Sequence, residues 1–203
     1  MPRRGAAFVA GTEHGGQRRD AGTIYSHQMR GPGDKEFMRE AAKLDLSARI
    51  DGNVLTVRAT VTNANAGHSL PTDQPGRNIL LLVEAKDASG ATLALRKGPL
   101  LPAWAGDLRD LPGRGFARIL EESWTGISPT VAYWNPTIAR EDTRLRALAT
   151  DSSEYEFSSR HGPARVSARL IYRRMFRDVA TVKGWQDVDL VMRQAALTAS
   201  QHR

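Results

Sequence analysis

Leu44-Asp45-Leu46-Ser47-Ala48-Arg49-Ile50-Asp51-Gly52-Asn53-Val54-Leu55-Thr56-Val57-Arg58-Ala59-Thr60-Val61 decides the fold. Leu44, Leu46, Ala48 and Ile50 alternate with polar residues, and Leu55, Val57, Ala59 and Val61 do the same after the Asp51-Gly52-Asn53 turn. Successive side chains of a strand point to opposite faces, so each run buries one face and wets the other. Two such runs joined by a tight Asp-Gly turn predict an antiparallel hairpin.

Upstream of the hairpin, Asp34 has the form of an N-cap for a short helix through Ala42, with Phe37, Met38 and Ala41 on one apolar face. Residues 1–33 are rich in Gly, Arg and polar side chains without a helical or strand period, which predicts an extended N-terminal arm in need of a surface to lie on. Downstream, Ile79 to Val83 is continuously apolar and suits a central strand buried on both faces, over Asn78 to Ala85. The turn Asp87-Ala88-Ser89-Gly90 leads into Ala91 to Arg96.

Lys97 to Asp142 is punctuated by Pro and Gly, with a strand around Phe116 to Leu120 and an aromatic-packed excursion about it. Tyr155 and Phe157 mark one short strand; Val166, Ala168, Leu170 and Tyr172 mark another. Met175 to Val182 suits a helical turn, and Val188 to Leu197 either strand or helix. Many antiparallel strands with few, short helices predict a mainly β fold, an immunoglobulin-like antiparallel β-sandwich over 34–203 carrying the arm 1–33.

The 203 residues carry a net charge of +7, mostly from arginine, since Lys35, Lys43, Lys86, Lys97 and Lys183 are the lysines. Guanidinium forks suit carboxylates and phosphates, but the arginines are spread along the whole chain and no nucleic-acid motif accompanies them. No apolar run approaches the length of a membrane-spanning helix, and Ala6 to Ala10 is too short for a signal-peptide core. The absence of cysteine excludes disulfides, thiolate zinc sites and cysteine nucleophiles. A Gly-x-Ser-x-Gly elbow and a phosphate-cradling glycine loop are both missing. The acidic pairs Glu121-Glu122 and Glu141-Asp142 have the form of solvated edges, so the chain reads as no enzyme. Trp104, Trp124, Tyr133, Trp134 and Trp185 read mostly as core or loop anchors, with stacking on sugar rings or haem edges as the other possibility.

Three histidines are candidate ligands. His68 lies in Ala66-Gly67-His68-Ser69-Leu70-Pro71-Thr72 at a strand end, where Gly67 permits a positive φ and Pro71 biases Leu70 to an extended conformation. An imidazole on such a corner either ligates a metal or haem iron, or hydrogen-bonds the backbone of its own loop. His27, in Tyr25-Ser26-His27-Gln28-Met29-Arg30-Gly31, and His14, in Glu13-His14-Gly15-Gly16, belong to the arm. None is spaced as a local metal motif, so a shared site of His14, His27 and His68 requires tertiary contacts.

Several segments together resemble the C-terminal β-sandwich region of bacterial multihaem c-type cytochromes, in the cytochrome c554-related group. They are Ser26 to Gly31, Phe37 to Leu46, Thr62-Asn63 through Thr72, Glu141 to Leu145, and Ala168 to Arg174. The resemblance implies export to the periplasm or beyond and a haem-bearing domain upstream. It also implies that His27 and His68 act as axial ligands to haem irons. This chain departs from the family in having no Cys-x-x-Cys-His. The haem c is then carried by a partner chain, a multihaem c-type cytochrome, or by an upstream domain missing from this reading frame. Arginines would pair with the haem propionates. The rival expectation is a β-sandwich interaction or carbohydrate-binding module without a redox role.

Overall fold

The computed structural model describes residues 3, 5, 10–26, 30–72, 74–159, 162–186 and 188–200. The chain divides into two compact units, Met1–Gly31 and Pro32–Arg203. In the first, two single-turn 3-10 helices, Thr12–His14 and Ala21–Thr23, are joined by irregular chain, and Arg3 bridges Tyr25. Asp20 caps the second turn by accepting from the Gly22 amide.

The second unit opens with α1 (Lys35–Ala41), where the Asp34 carboxylate accepts from the Phe37 amide as the sequence predicts. Met38 is buried beneath α1, whereas Phe37 stays 43% exposed, so the apolar face is narrower than its spacing implies. The hairpin follows as β1 (Ala42–Asp51) and β2 (Val54–Asn63), in register from Ala42 opposite Asn63 to Asp51 opposite Val54. Gly52 takes φ 57° at the turn, a conformation that suits glycine.

Two four-stranded antiparallel sheets make the sandwich. One has the order β1-β2-β8-β4, with β4 (Leu95–Lys97) and β8 (Thr150–Ser158); the other runs β10-β9-β3-β5, with β3 (Asn78–Lys86), β5 (Gly113–Phe116), β9 (Ala164–Arg173) and β10 (Asp189–Ala199). Alternate residues of both sheets, among them Leu55, Val57, Leu81, Val83, Tyr155, Phe157, Val166 and Leu170, form one core between them. On the outer face of β2 and β8, Arg58 meets Glu154, Thr60 meets Ser152 and Thr62 meets Thr150.

β3 is buried on both faces, as its unbroken apolar run predicts. Leu81 and Val83 enter the sandwich core, while Leu80 and Leu82, with Ile171 of β9, are covered by Leu101 and Ala105. That cover is a turn of 3-10 helix, Ala103–Leu108, kinked at Gly106, where φ is 63° and a Cβ would lie 3.0 Å from Cβ of Arg177. The remaining elements are a separate hairpin of β6 (Arg118–Glu122) and β7 (Thr137–Asp142), and α2 (Arg177–Val182).

Several expectations are corrected. Ala91 to Arg96 makes a single bridge to β3 through Thr92, then crosses to the opposite sheet as β4. The strand expected over Phe116 to Leu120 is two, because the chain leaves β5 and joins β6 at Ala117. The aromatics are mostly not anchors: Trp104 packs edge-on against Phe176, but Trp124, Tyr133, Trp134 and Trp185 are exposed. Glu122 is no solvated edge. It is buried and accepts from Thr125 and Asn135, pinning the loop between β6 and β7.

Tyr155 is buried in the core with its hydroxyl 3.0 Å from Ser153 Oγ, and burial pushes the phenol up to about 12. The unfolded chain ionises the phenol near pH 10, so between pH 10 and 12 the unfolded state binds fewer protons than the folded one and stability falls as pH rises. The loss is roughly 2–3 kcal/mol across that window. Urea unfolding from pH 9 to 12 measures it, and Tyr155→Phe removes that part of the slope.

Candidate functional site

The site is built from the end of β2. Asn63, fully buried, closes the strand and turns its side chain into the loop that follows. Its Nδ2 donates to the carbonyls of His68 at 2.8 Å, Arg146 at 3.0 Å and Leu145 at 3.2 Å, and its Oδ1 accepts from the Ala66 amide. Leu70 and Leu145 exchange both backbone hydrogen bonds at 2.8 Å. Asn65 donates to the Glu40 carbonyl and the Ala64 amide to that of Ala41, which ties the loop to the end of α1. The His68 corner is therefore clamped from three sides. Pro71 adds a cis peptide bond after Leu70.

Gly67 does not supply a positive φ, contrary to expectation, and nothing lies within 4 Å of where its Cβ would be. The hydrogen bonds of Asn63, not a glycine conformation, shape the corner.

His68 itself is exposed, with Nδ1 3.0 Å from the carbonyl oxygen of Ser69. A carbonyl only accepts, so Nδ1 carries the proton and the neutral ring keeps its lone pair on Nε2, which has no hydrogen-bond partner among the described residues. Of the two roles weighed for this imidazole, the backbone hydrogen bond within its own loop is the one present, and it leaves Nε2 open. The backbone bond orients the ring and selects the tautomer in which Nε2 can bind a metal. His68 borders a hollow of about 280 Å³ whose walls include Phe37, Met38, Ala41, Leu70, Pro71 and Tyr172, a largely apolar lining beside the imidazole.

The other candidates are placed less informatively. His14 is exposed in the first unit, with Nε2 3.6 Å from Glu13. His27 lies outside the described residues. Among the described residues there is no group of three or more His, Asp or Glu side chains able to hold a metal ion, and none of their helices is long and apolar enough to cross a membrane.

An ionic cluster around one buried arginine escaped sequence analysis. Arg173, at the end of β9 and without side-chain exposure, pairs through Nε with Asp189 at 2.7 Å and through Nη2 with Asp107 at 2.9 Å, and donates from Nη1 to the Ala105 carbonyl. Arg177 reaches the same two carboxylates at 2.8 and 3.4 Å. Burial works against the Arg173 charge, but Asp189 and Asp107 outweigh it and hold its pKa above the ordinary value. The cluster joins β9, β10, α2 and the 3-10 cover, and its signal in the sequence was only a pair of arginines in Arg173-Arg174.

No family model matches the sequence, and no curated protein does. Among solved structures, the chain is similar to a penta-haem cytochrome c552 from Thermochromatium tepidum, with a TM-score of 0.67 and 20% identity over 85% of this chain. A PapD-like domain of human CEP192 aligns with a TM-score of 0.30 and 9% identity over 89% of this chain and 94% of that domain. The match to the cytochrome takes in 43% of that protein's length. Without cysteine, these 203 residues attach no haem c covalently. The fold of this chain is thus the β-sandwich seen in part of a multihaem cytochrome.

Proposed function

We propose that this chain is a haem-free β-sandwich subunit or fragment that supports a multihaem c-type cytochrome of the c554-related group in electron transfer outside the cytoplasm, donating His68 as an axial ligand. The observation that carries the reading is the His68 corner. Its Nδ1 is committed to Ser69, its Nε2 is unpartnered among the described residues, and an apolar hollow for the edge of a porphyrin lies alongside. Similarity in fold to the penta-haem cytochrome supports it. The haem belongs to the partner or to an upstream domain. His27 is proposed as a second ligand on the arm 1–33, and 34–203 as the docking body. Ligation by a rigidly oriented imidazole at an apolar surface would set the iron's potential through ligand identity and exclusion of water.

A haem peptide of the c type with one open axial position is the test. Titration with the full chain is expected to convert its high-spin spectrum to the low-spin, bis-imidazole form at concentrations about tenfold or more below those needed with free imidazole. His68→Ala is expected to abolish that advantage. An H68A protein that ligates as well as the unaltered chain would overturn the assignment, and H27A reports separately on the arm.

The exposed Trp124, Tyr133 and Trp134 favour a second reading, a sandwich that binds carbohydrate or protein through this hairpin without redox function. A silent haem-peptide titration would favour it.

A further inference from the structure

The loop of residues 123–136, which joins β6 to β7, holds no charged side chain, although 25% of the whole chain is charged. Trp124, Ile127, Tyr133 and Trp134 stand on it 75%, 58%, 62% and 71% exposed. Exposed apolar residues are ordinary when single; four together on one uncharged loop mark a contact surface. The charged residues next along the hairpin are engaged at its neck, Glu121 by Arg140 and the buried Glu122 by Thr125 and Asn135.

The backbone of the loop is unusually self-sufficient. The amides of Ser123, Gly126, Thr130 and Asn135 donate to the carbonyls of Pro136, Glu122, Leu120 and Ala132, and those of Ile127 and Ala132 to the hydroxyls of Thr125 and Thr130. An amide carried out of water without a partner is costly, so a loop that satisfies its own is suited to an apolar medium. Val131 packs against the clusters around Phe176 and Met175 and so ties the loop to the body of the domain.

We infer that this loop docks on the surface of an anionic lipid bilayer, with Trp124, Ile127, Tyr133 and Trp134 entering the zone between headgroups and acyl chains. Tryptophan and tyrosine favour that zone because each joins an apolar ring to one polar group, and Ile127 adds aliphatic surface. The net charge of +7 draws the whole chain toward anionic headgroups, while the uncharged tip meets no penalty for leaving water. A sugar is the poorer fit. Tyr133 and Trp134 cross at 71° and make no single flat platform, and Thr125, Thr130 and Asn135 are engaged within the loop. His68 takes no part, so the inference is independent of the haem-ligand reading.

The test is sedimentation of the full chain with phosphatidylcholine vesicles that contain phosphatidylglycerol. The chain is expected to sediment with them, and its tryptophan emission to shift to the blue and to be quenched by brominated acyl chains. Trp124→Ser and Trp134→Ser, both at bare positions where folding is unaffected, are each expected to weaken partition about tenfold or more. The control is Leu100→Ser. Leu100 is also exposed but bridges Pro112 at the start of β5, the strand end away from the hairpin, and its loss is expected to leave partition unchanged. Failure to sediment with these vesicles would overturn the proposal and leave the hairpin to a protein or carbohydrate partner. Equal partition of W124S, W134S and the unaltered chain would overturn it too, since charge alone would then hold the protein to the vesicle.

Discussion

Arg173→Ala is expected to cost about 3–5 kcal/mol of folding stability, because it removes the fully buried member of an ionic cluster and takes a donor from each group that faced it. The Ala105 carbonyl loses its donor, Asp107 and Asp189 keep only Arg177, and the volume of a long side chain is left empty among β9, β10 and the 3-10 cover. For a domain of this size the melting temperature falls by about 2–4 °C per kcal/mol. Arg177→Ala is the comparison. Its side chain is 32% exposed and the Arg173–Asp189 pair survives it, so its effect is expected to stay within about 1 kcal/mol. Urea midpoints for the two variants measure the difference, and equal losses would show that burial of Arg173 is not what makes the cluster matter.

The second large effect falls on the candidate site. Asn63→Ala deprives the carbonyls of His68, Leu145 and Arg146 of a donor and the Ala66 amide of an acceptor. The Leu145 and Arg146 carbonyls keep the Leu70 and Ala149 amides, so the His68 carbonyl and the Ala66 amide are the groups left unsatisfied, and at about 1–3 kcal/mol each, with both only partly buried, the expected total is roughly 2–4 kcal/mol. Its signature differs from that of R173A. Amide exchange should accelerate first at Ala66 and Leu70, and ligation of the haem peptide should weaken although His68 is intact, since the imidazole is no longer held. Normal ligation by folded N63A protein would show that the clamp is structural alone.

The hairpin was legible because period-two alternation is a local property, and Leu44 to Val61 obeys it without exception around an Asp-Gly turn. The double burial of β3 was legible from another local property, an apolar run without alternation. The crossing of residues 92–97 from one sheet to the other was not, because nothing in Thr92 or Leu95 distinguishes a strand that returns to its neighbour from one that leaves. The His68 turn stood out as a corner, yet the cause assigned to it, a glycine conformation, was the wrong one. The side chain that shapes it is Asn63, five residues earlier, and its partners at Leu145 and Arg146 are more than 80 residues away. The Arg173 cluster was invisible for a related reason. Asp107, Arg173, Arg177 and Asp189 are ordinary charged residues in sequence, and only the cover over β3 brings Asp107 to the others.

That cover also governs how the sandwich can be approached. With Leu80, Leu82 and Ile171 roofed by Leu101 and Ala105, much of one sheet is a middle layer of three, while the opposite sheet shows water a ladder of hydroxyls and an ion pair along β2 and β8. Among the described residues, the outer side chains named on these two faces are roofed over or polar. Grip is concentrated at the loop tips, in the hollow beside His68 and on the aromatic hairpin. A partner that docked as proposed, at the hollow beside His68, would meet the sandwich end-on, at the loop after β2 and the end of α1, and not on the face of either sheet.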